Sequence, residues 1–452
     1  MLEKMFKLKE NGTTVKTEVL GGITTFMTMA YILAVNPSLL SASGMDATAV
    51  LIATALASFV GTMCMALMAN YPFALAPGMG LNAYFAFTVC GAMGYSWQVA
   101  LMAVFAEGII FIILSLTSVR EAIFNAIPLT LKKGVSAGIG LFIAFIGLQG
   151  AHIVVNNDST LVSYVNFRSA FSTEGICALL ALIGLFVTAI LYIKKVRGSI
   201  LIGIIVTWVL GMIAQAAGIY VVTPDAGYYS LYPAFGMTNF GAIGQTFGQV
   251  FKADFASVDI VNFIVVLFAF LFVDMFDTLG TLIGVATKAN MLDKDGKLPR
   301  IKQALLADAI ATSAGALFGT STTTTFVESS AGVGEGARTG LASVVTGFLF
   351  LLSIFLAPIF TAVPGFATAP ALIFVGFLMM GAVTDIDFND LTEAIPAYLC
   401  IVAMPLMYSI SEGIAIGVIS YVIINLCCGK TKKITPLMYV LAVLFVCKYI
   451  FL

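Results

Sequence analysis

A chain of 452 residues that is 60% hydrophobic and 10% charged carries more apolar side chain than a water-soluble core can hide, which excludes a soluble enzyme or binding module. What remains is a polytopic protein with the lipid bilayer as its main partner. The net charge of −1 favours no particular partner, no nucleic acid is expected, and the placement of the charges tells more than their sum.

In chain order, residues 1–17 carry Lys4, Lys7, Lys9 and Lys16 with little apolar content, the pattern of an uncleaved cytoplasmic tail and not of an export signal. Apolar runs then predict helical spans 1 to 7 at about 18–36, 47–69, 80–92, 97–118, 134–151, 174–193 and 198–217. Residues 218–258 form the longest external connection. Spans 8 to 14 follow at about 259–287, 303–319, 328–337, 340–362, 369–384, 391–410 and 412–428. Residues 429–452 hold a basic loop and an apolar segment from Pro436, either a further span or an interface element. With the tail inside, nineteen of the 22 basic residues fall at cytoplasmic ends, including Arg120, Lys288, Lys294, Lys297, Arg300 and Arg338; only Arg168, Lys252 and Lys448 fall elsewhere. This predicts an all-α inner-membrane protein.

Seven spans per half place the halves in opposite senses, so likeness between them implies inverted repeats over 18–217 and 259–428. SILIGIIVTWVLG from Ser199 matches GIAIGVISYVIIN from Gly413, and GLFIAFIGLQGA from Gly140 matches ALIFVGFLMMGA from Ala371. Spans 3 and 10 occupy equivalent places and both are broken. Pro72, Pro77, Gly78 and Gly80 interrupt the first, and the run Thr322 to Thr325 favours extended backbone in the second, so each is expected as a short strand followed by a half-helix. Such breaks at membrane depth are tolerated where they line a polar cavity, with free N–H groups at the half-helix ends. Glycine-driven helix packing is the plainer alternative.

Ionisable groups inside spans are functional candidates by default. Asp274 and Asp277 of span 8 are three residues apart, on one helix face. Close carboxylates resist simultaneous ionisation, so the pair can carry a proton. Glu328 falls where strand hands over to half-helix, with Thr325 just before it. A carboxylate there can accept two parallel hydrogen bonds, the donor pair that guanine offers through N1–H and its exocyclic amine; a plain capping role is the alternative. Asn82 can donate to and accept from an opposite edge, or close a local turn. Phe73, Tyr84 and Phe85 are stacking candidates or simply packing. Glu107, Asp308 and Glu412 read first as structural hydrogen-bonding groups, and Glu335 with Arg338 as an ion pair at three-residue spacing. The single histidine, His152, lies at an outer end and is not expected to carry the proton. The seven cysteines lie in or beside apolar runs without metal-ligand spacing and read as packing residues.

The strings GGITTFMTMAYILAVNP from Gly21, ALAPGMGLNAYF from Ala74, FVDMFDTLGTLIG from Phe272 and TSTTTTFVESSAGVGEGARTG from Thr320 resemble signatures of the nucleobase-cation symporter-2 family, within it the azaguanine-type hypoxanthine/guanine permeases. The resemblance covers almost the whole chain. It implies fourteen spans in two inverted repeats, core and gate domains, substrate between spans 3, 8 and 10, and binding or coupling roles for Gly80, Asn82, Asp274, Asp277 and Glu328. It implies proton symport without a further cofactor, and related proteins dimerise, so a homodimer is expected. Where other branches carry a first-span histidine, this chain has Thr24, Thr25 and Thr28, a departure that favours the purine subgroup. An adenine permease of the same subgroup is the nearest alternative. An anion carrier on this architecture would be repelled by acids at the half-helix ends, and a membrane-embedded enzyme would need a nucleophile, metal or cofactor constellation that the sequence does not display.

Overall fold

The computed structural model describes residues 2–116, 127–168, 170–223, 227–233, 236–254, 258–289, 291 and 298–451. Arg120, Lys294 and Lys297 lie outside the described residues, as do the side chains of Lys288 and Lys448. Among the described residues, nine helices are long and apolar enough to cross a membrane, and shorter apolar helices stand at Met79–Ala92, Ile260–Met275, Leu391–Leu406 and Pro436–Cys447. Helix occupies each of the fourteen expected positions.

Span 1 is in two pieces, Val15–Met29 and Ile32–Ser41, which meet at Ala30 and Tyr31. Its first piece begins on the Thr14 side chain, which accepts from the backbone N–H of Thr17. Span 8, Ile260–Lys288, has 29 residues and is about 44 Å long at 1.5 Å per residue. Spans 3 and 10 have the expected broken form. Strand β1, Leu75–Pro77, leads into the half-helix Met79–Ala83 and its wider continuation Tyr84–Ala92. A second hairpin, between spans 5 and 6, pairs β2, Val154–Asn157, with β3, Leu161–Tyr164. The sequence reading did not foresee it; Asn157 closes its turn by accepting from the N–H groups of Ser159 and Thr160 at 2.9 and 3.0 Å. The span 10 strand, β4, is Thr323–Thr325, followed by the half-helix Ser329–Gly334.

Two groups of helices emerge from the packing. Spans 1–4 pack with spans 8–11, and spans 5–7 with spans 12–14, so each group draws on both halves of the chain. We refer to them as core and gate. The long connection between the halves, residues 218–258, divides between them. Its first part docks on the gate, where Trp208 Nε1 donates to Leu231 O at 2.8 Å and Gln215 Oε1 accepts from Leu231 N at 2.8 Å. Its second part docks on the core through Thr238 Oγ1 to Ile354 O, 2.7 Å, and Thr246 Oγ1 to Phe318 O, 2.9 Å.

Among the described residues, few polar contacts join core to gate. At one end Thr88 Oγ1 of span 3 donates to Tyr408 O at 3.1 Å, and the Tyr408 ring lies edge-on to Phe87 and Phe142. At the other, the Arg197 guanidinium between spans 6 and 7 pairs with Glu335 at the end of the span 10 half-helix. This corrects the expected Glu335–Arg338 pair. Arg338 instead donates through Nη1 to the carbonyls of Val333 and Ala337, 2.8 and 2.7 Å away, and so satisfies the end of that half-helix. Fully buried Glu18 of span 1 caps the start of span 11, accepting from the N–H groups of Arg338 at 2.8 Å and Ala342 at 3.1 Å.

The segment from Pro436 is a sixteen-residue helix, Pro436–Phe451, packed along span 14. Tyr449 donates to Glu412 at the start of span 14, while Lys430 and Lys433, just past its end, pair with Asp390 at 3.1 and 2.7 Å. The helix thus runs antiparallel to span 14 over nearly its full length. The bonds from Lys433, Thr392 and Lys430 hold the Asp390 carboxyl well below the usual carboxylate range.

Candidate functional site

The two breaks meet. β1 and β4 pair antiparallel in the register Leu75 with Thr325, Ala76 with Thr324 and Pro77 with Thr323. The pairing extends through Gly78 N to Thr322 O and Phe326 N to Ala74 O, each 3.0 Å. All six strand residues are buried, so their backbone groups must find partners inside the protein, and each strand is the other's partner. Pro77, which has no N–H to give, sits at the strand end, where a missing donor costs least. Gly78 is required by space: a Cβ there would come 2.9 Å from Thr324 Cγ2 and 3.5 Å from Asp277 Oδ2.

Around this pair the structure gathers carboxylates. Glu328, half-buried, stands at the N-terminal end of the span 10 half-helix, and its Oε1 accepts from the Tyr31 hydroxyl at 2.7 Å. Asp277, half-buried, has Asp308 and Glu328 as the carboxylates whose charges reach it, and makes no hydrogen bond from its side chain to a described residue. Asp274, fully buried, turns to Thr278, whose Oγ1 lies 3.0 Å from Asp274 Oδ1, 3.0 Å from both oxygens of Asp308 and 2.7 Å from Thr324 Oγ1. One hydroxyl proton can satisfy only one of these acceptors at a time. Two buried carboxylates around a single hydroxyl are costly to ionise together.

The remaining candidates fall into two sets. Asn82, buried, accepts from the Ser321 hydroxyl and so ties the first half-helix to the approach of β4; its Nδ2 is 3.4 Å from Pro77 O. Thr325 is buried in β4, and its Oγ1 has no hydrogen-bond partner among the described residues. Gly80 faces the gate, where a Cβ would come 2.6 Å from Ile139 Cγ2 of span 5. Phe73 stands apart: its ring is wholly buried and stacked on Tyr71 with centroids 5.1 Å apart, which leaves no face for a ligand in this conformation. Glu107 accepts from Thr322 Oγ1 at 2.7 Å, behind β4.

Tyr31, Thr278, Ser321 and the site-side position of Asp308 were not singled out by sequence. Thr278 had a signal, a hydroxyl four residues after Asp274 on one helix face. Tyr31 had a weaker one, a polar-tipped aromatic beside the break in span 1.

The family profile described as a permease family, Xan_ur_permease, matches residues 16–432. The chain is 46% identical to the guanine/hypoxanthine permease PbuG of Bacillus subtilis, covering 100% of both chains. It is 43% identical to the adenine permease AdeP of Escherichia coli over 100% of this chain and 96% of that one. Among solved structures, the transmembrane domain of the cyanobacterial bicarbonate transporter BicA superposes with a TM-score of 0.61 at 16% identity, covering 89% of this chain and 97% of that one, a likeness of fold.

Proposed function

The chain belongs to the permease family that this profile describes, the nucleobase-cation symporter-2 family, and from that premise we propose that it imports guanine and hypoxanthine by proton symport with alternating access. The observation that carries the reading is the Glu328 carboxylate, fixed by Tyr31 at the mouth of a half-helix and within reach of Asp277. A carboxylate in that place accepts a pair of N–H donors from a purine edge. In this reading Asn82 and the Thr325 hydroxyl, on the two paired breaks, supply further polar partners to the base.

The proton is held among Asp274, Asp277 and Asp308. Adding it neutralises buried charge, so the loaded carrier crosses the barrier between its outward and inward states at lower cost. In this reading the tail of residues 1–17 faces the cytoplasm, the halves 18–217 and 259–428 are inverted repeats, and the protein works as a homodimer in the inner membrane. Similarity to an adenine permease, 43% against 46%, supports adenine import as the second reading.

Uptake of labelled hypoxanthine by cells lacking their own purine permeases tests both. Protonophore-sensitive uptake blocked by guanine and little affected by adenine is expected. Competition by adenine alone selects the second reading, and no uptake of either base sinks both. Asp277→Asn is expected to keep purine binding and lose proton-driven accumulation; normal accumulation by that variant removes Asp277 from the coupling scheme.

A further inference from the structure

A cavity of about 390 Å³ opens among the loops of the core, lined by Asn11 of the tail, Tyr71 before β1, Ala289 and Met291 after span 8, Pro299 and Arg300 before span 9, and Arg338 after the span 10 half-helix. Two arginines therefore line one space, and no carboxylate of the described residues lines it with them. Among the described residues neither arginine makes an ion pair. Like charges lining one space are unfavourable without a counter-ion, and arginine's planar fork matches phosphate oxygens better than any other side chain does.

Both arginines are held in place. The Arg300 guanidinium lies over the Tyr71 ring, 4.9 Å from its centroid, and its backbone is in the left-handed region at φ +57°. Arg338 spends Nη1 on the carbonyls of Val333 and Ala337, which orients its remaining N–H donors, and these have no partner among the described residues. Span 9 begins at this cavity with no side-chain cap, which adds the positive end of an eighteen-residue helix. The volume exceeds that of a lone phosphate and falls in the range of about 300–1,000 Å³ usual for small-molecule sites.

We propose that this cavity binds a phosphate monoester or diester, clamped between Arg300 and Arg338. The chemistry fits the phosphate of a purine nucleotide or of an acidic phospholipid headgroup. The clamp would bear on the transport site. It joins the segment before β1 to the end of the half-helix that Glu328 begins, so an occupant would stiffen the frame that holds the substrate carboxylate. The proposal does not depend on which base is carried.

Purified full-length protein in detergent tests it by thermal unfolding and titration calorimetry at constant ionic strength. The probes are inorganic phosphate, guanosine monophosphate with guanosine as control, and short-chain phosphatidylglycerol with phosphatidylcholine as control. Stabilisation by the monophosphate but not the nucleoside identifies a nucleotide site, and stabilisation by phosphatidylglycerol alone identifies a headgroup site; both support the clamp. Arg300→Gln is expected to weaken the binding about tenfold or more, the loss of one charge-assisted contact, while labelled hypoxanthine binding is unchanged. Arg338→Lys, which keeps the charge but not the fork, is expected to weaken it less. Absence of stabilisation by every phosphate probe overturns the proposal, as does equal stabilisation of the wild type and Arg300→Gln.

Discussion

The Tyr31 hydroxyl is the one side-chain donor that the described residues supply to the Glu328 carboxylate, across the break in span 1. A hydrogen bond to a charged group contributes about 1.5–3 kcal/mol, so Tyr31→Phe is expected to raise the KM for hypoxanthine about tenfold or more while protein in the membrane stays constant. An unchanged KM in concentration-dependent uptake would reduce Tyr31 to packing. Thr278 has a different task, since its hydroxyl stands between Asp274 and Asp308. Thr278→Val keeps the shape and removes the shared donor, which is expected to cost about 1–3 kcal/mol, read as a lowered unfolding temperature in detergent, with Thr278→Ser close to wild type. Local spacing showed that span 8 carries two carboxylates. It did not show where Asp274 turns: residues three apart differ by about 60° around a helix, and Asp274 faces a Thr278 hydroxyl that also meets Asp308 of span 9 and Thr324 of β4. Asp308, 31 residues beyond Asp277 in the chain, read as structural because nothing near it in sequence marks its neighbours.

At the scale of elements, the breaks in spans 3 and 10 were legible because proline, glycine and a threonine run act on their own backbone. Their pairing was not, because a three-residue strand has no pattern that names its partner. The same holds for the link between Arg197 and Glu335, which sequence assigned to the wrong neighbour: the loop after span 6 and the end of span 10 are far apart in the chain and adjacent in the fold. This pair joins core to gate at one end of the molecule. Half-exposed, it contributes little to stability, about 0–1 kcal/mol, but it bears on the balance between states. Reversing either charge alone is expected to change the uptake rate several-fold, and Arg197→Glu combined with Glu335→Arg to restore it. If the double variant is no better than the singles, the pair has no part in gating.

For the whole molecule, the number and order of spans followed from apolar runs and the placement of lysine and arginine, both local properties of the chain. How the spans divide into two bodies did not, since every helix is apolar enough to pack against any other. The division shows instead in where the long connection changes hosts, from Trp208 and Gln215 on the gate to Ile354 and Phe318 on the core. Among the described residues the polar links between the two bodies are few, chiefly the Thr88 hydroxyl contact and the Arg197–Glu335 ion pair, beside apolar packing such as Gly80 against Ile139, a surface suited to sliding.

A crossing by the helix Pro436–Phe451 would change the parity of the chain. Fourteen crossings return it to the side on which it started, whereas an added crossing antiparallel to span 14 leaves it on the other. A fluorescent reporter that matures only in the cytoplasm is expected to glow when joined after Lys433 and to stay dark when joined after Ile450. Alkaline phosphatase, which needs an oxidising compartment, is expected to give the reverse pattern. Equal fluorescence at both junctions would instead mean that this helix lies along the membrane face, and a tag placed there would then remain within reach of cytoplasmic proteins.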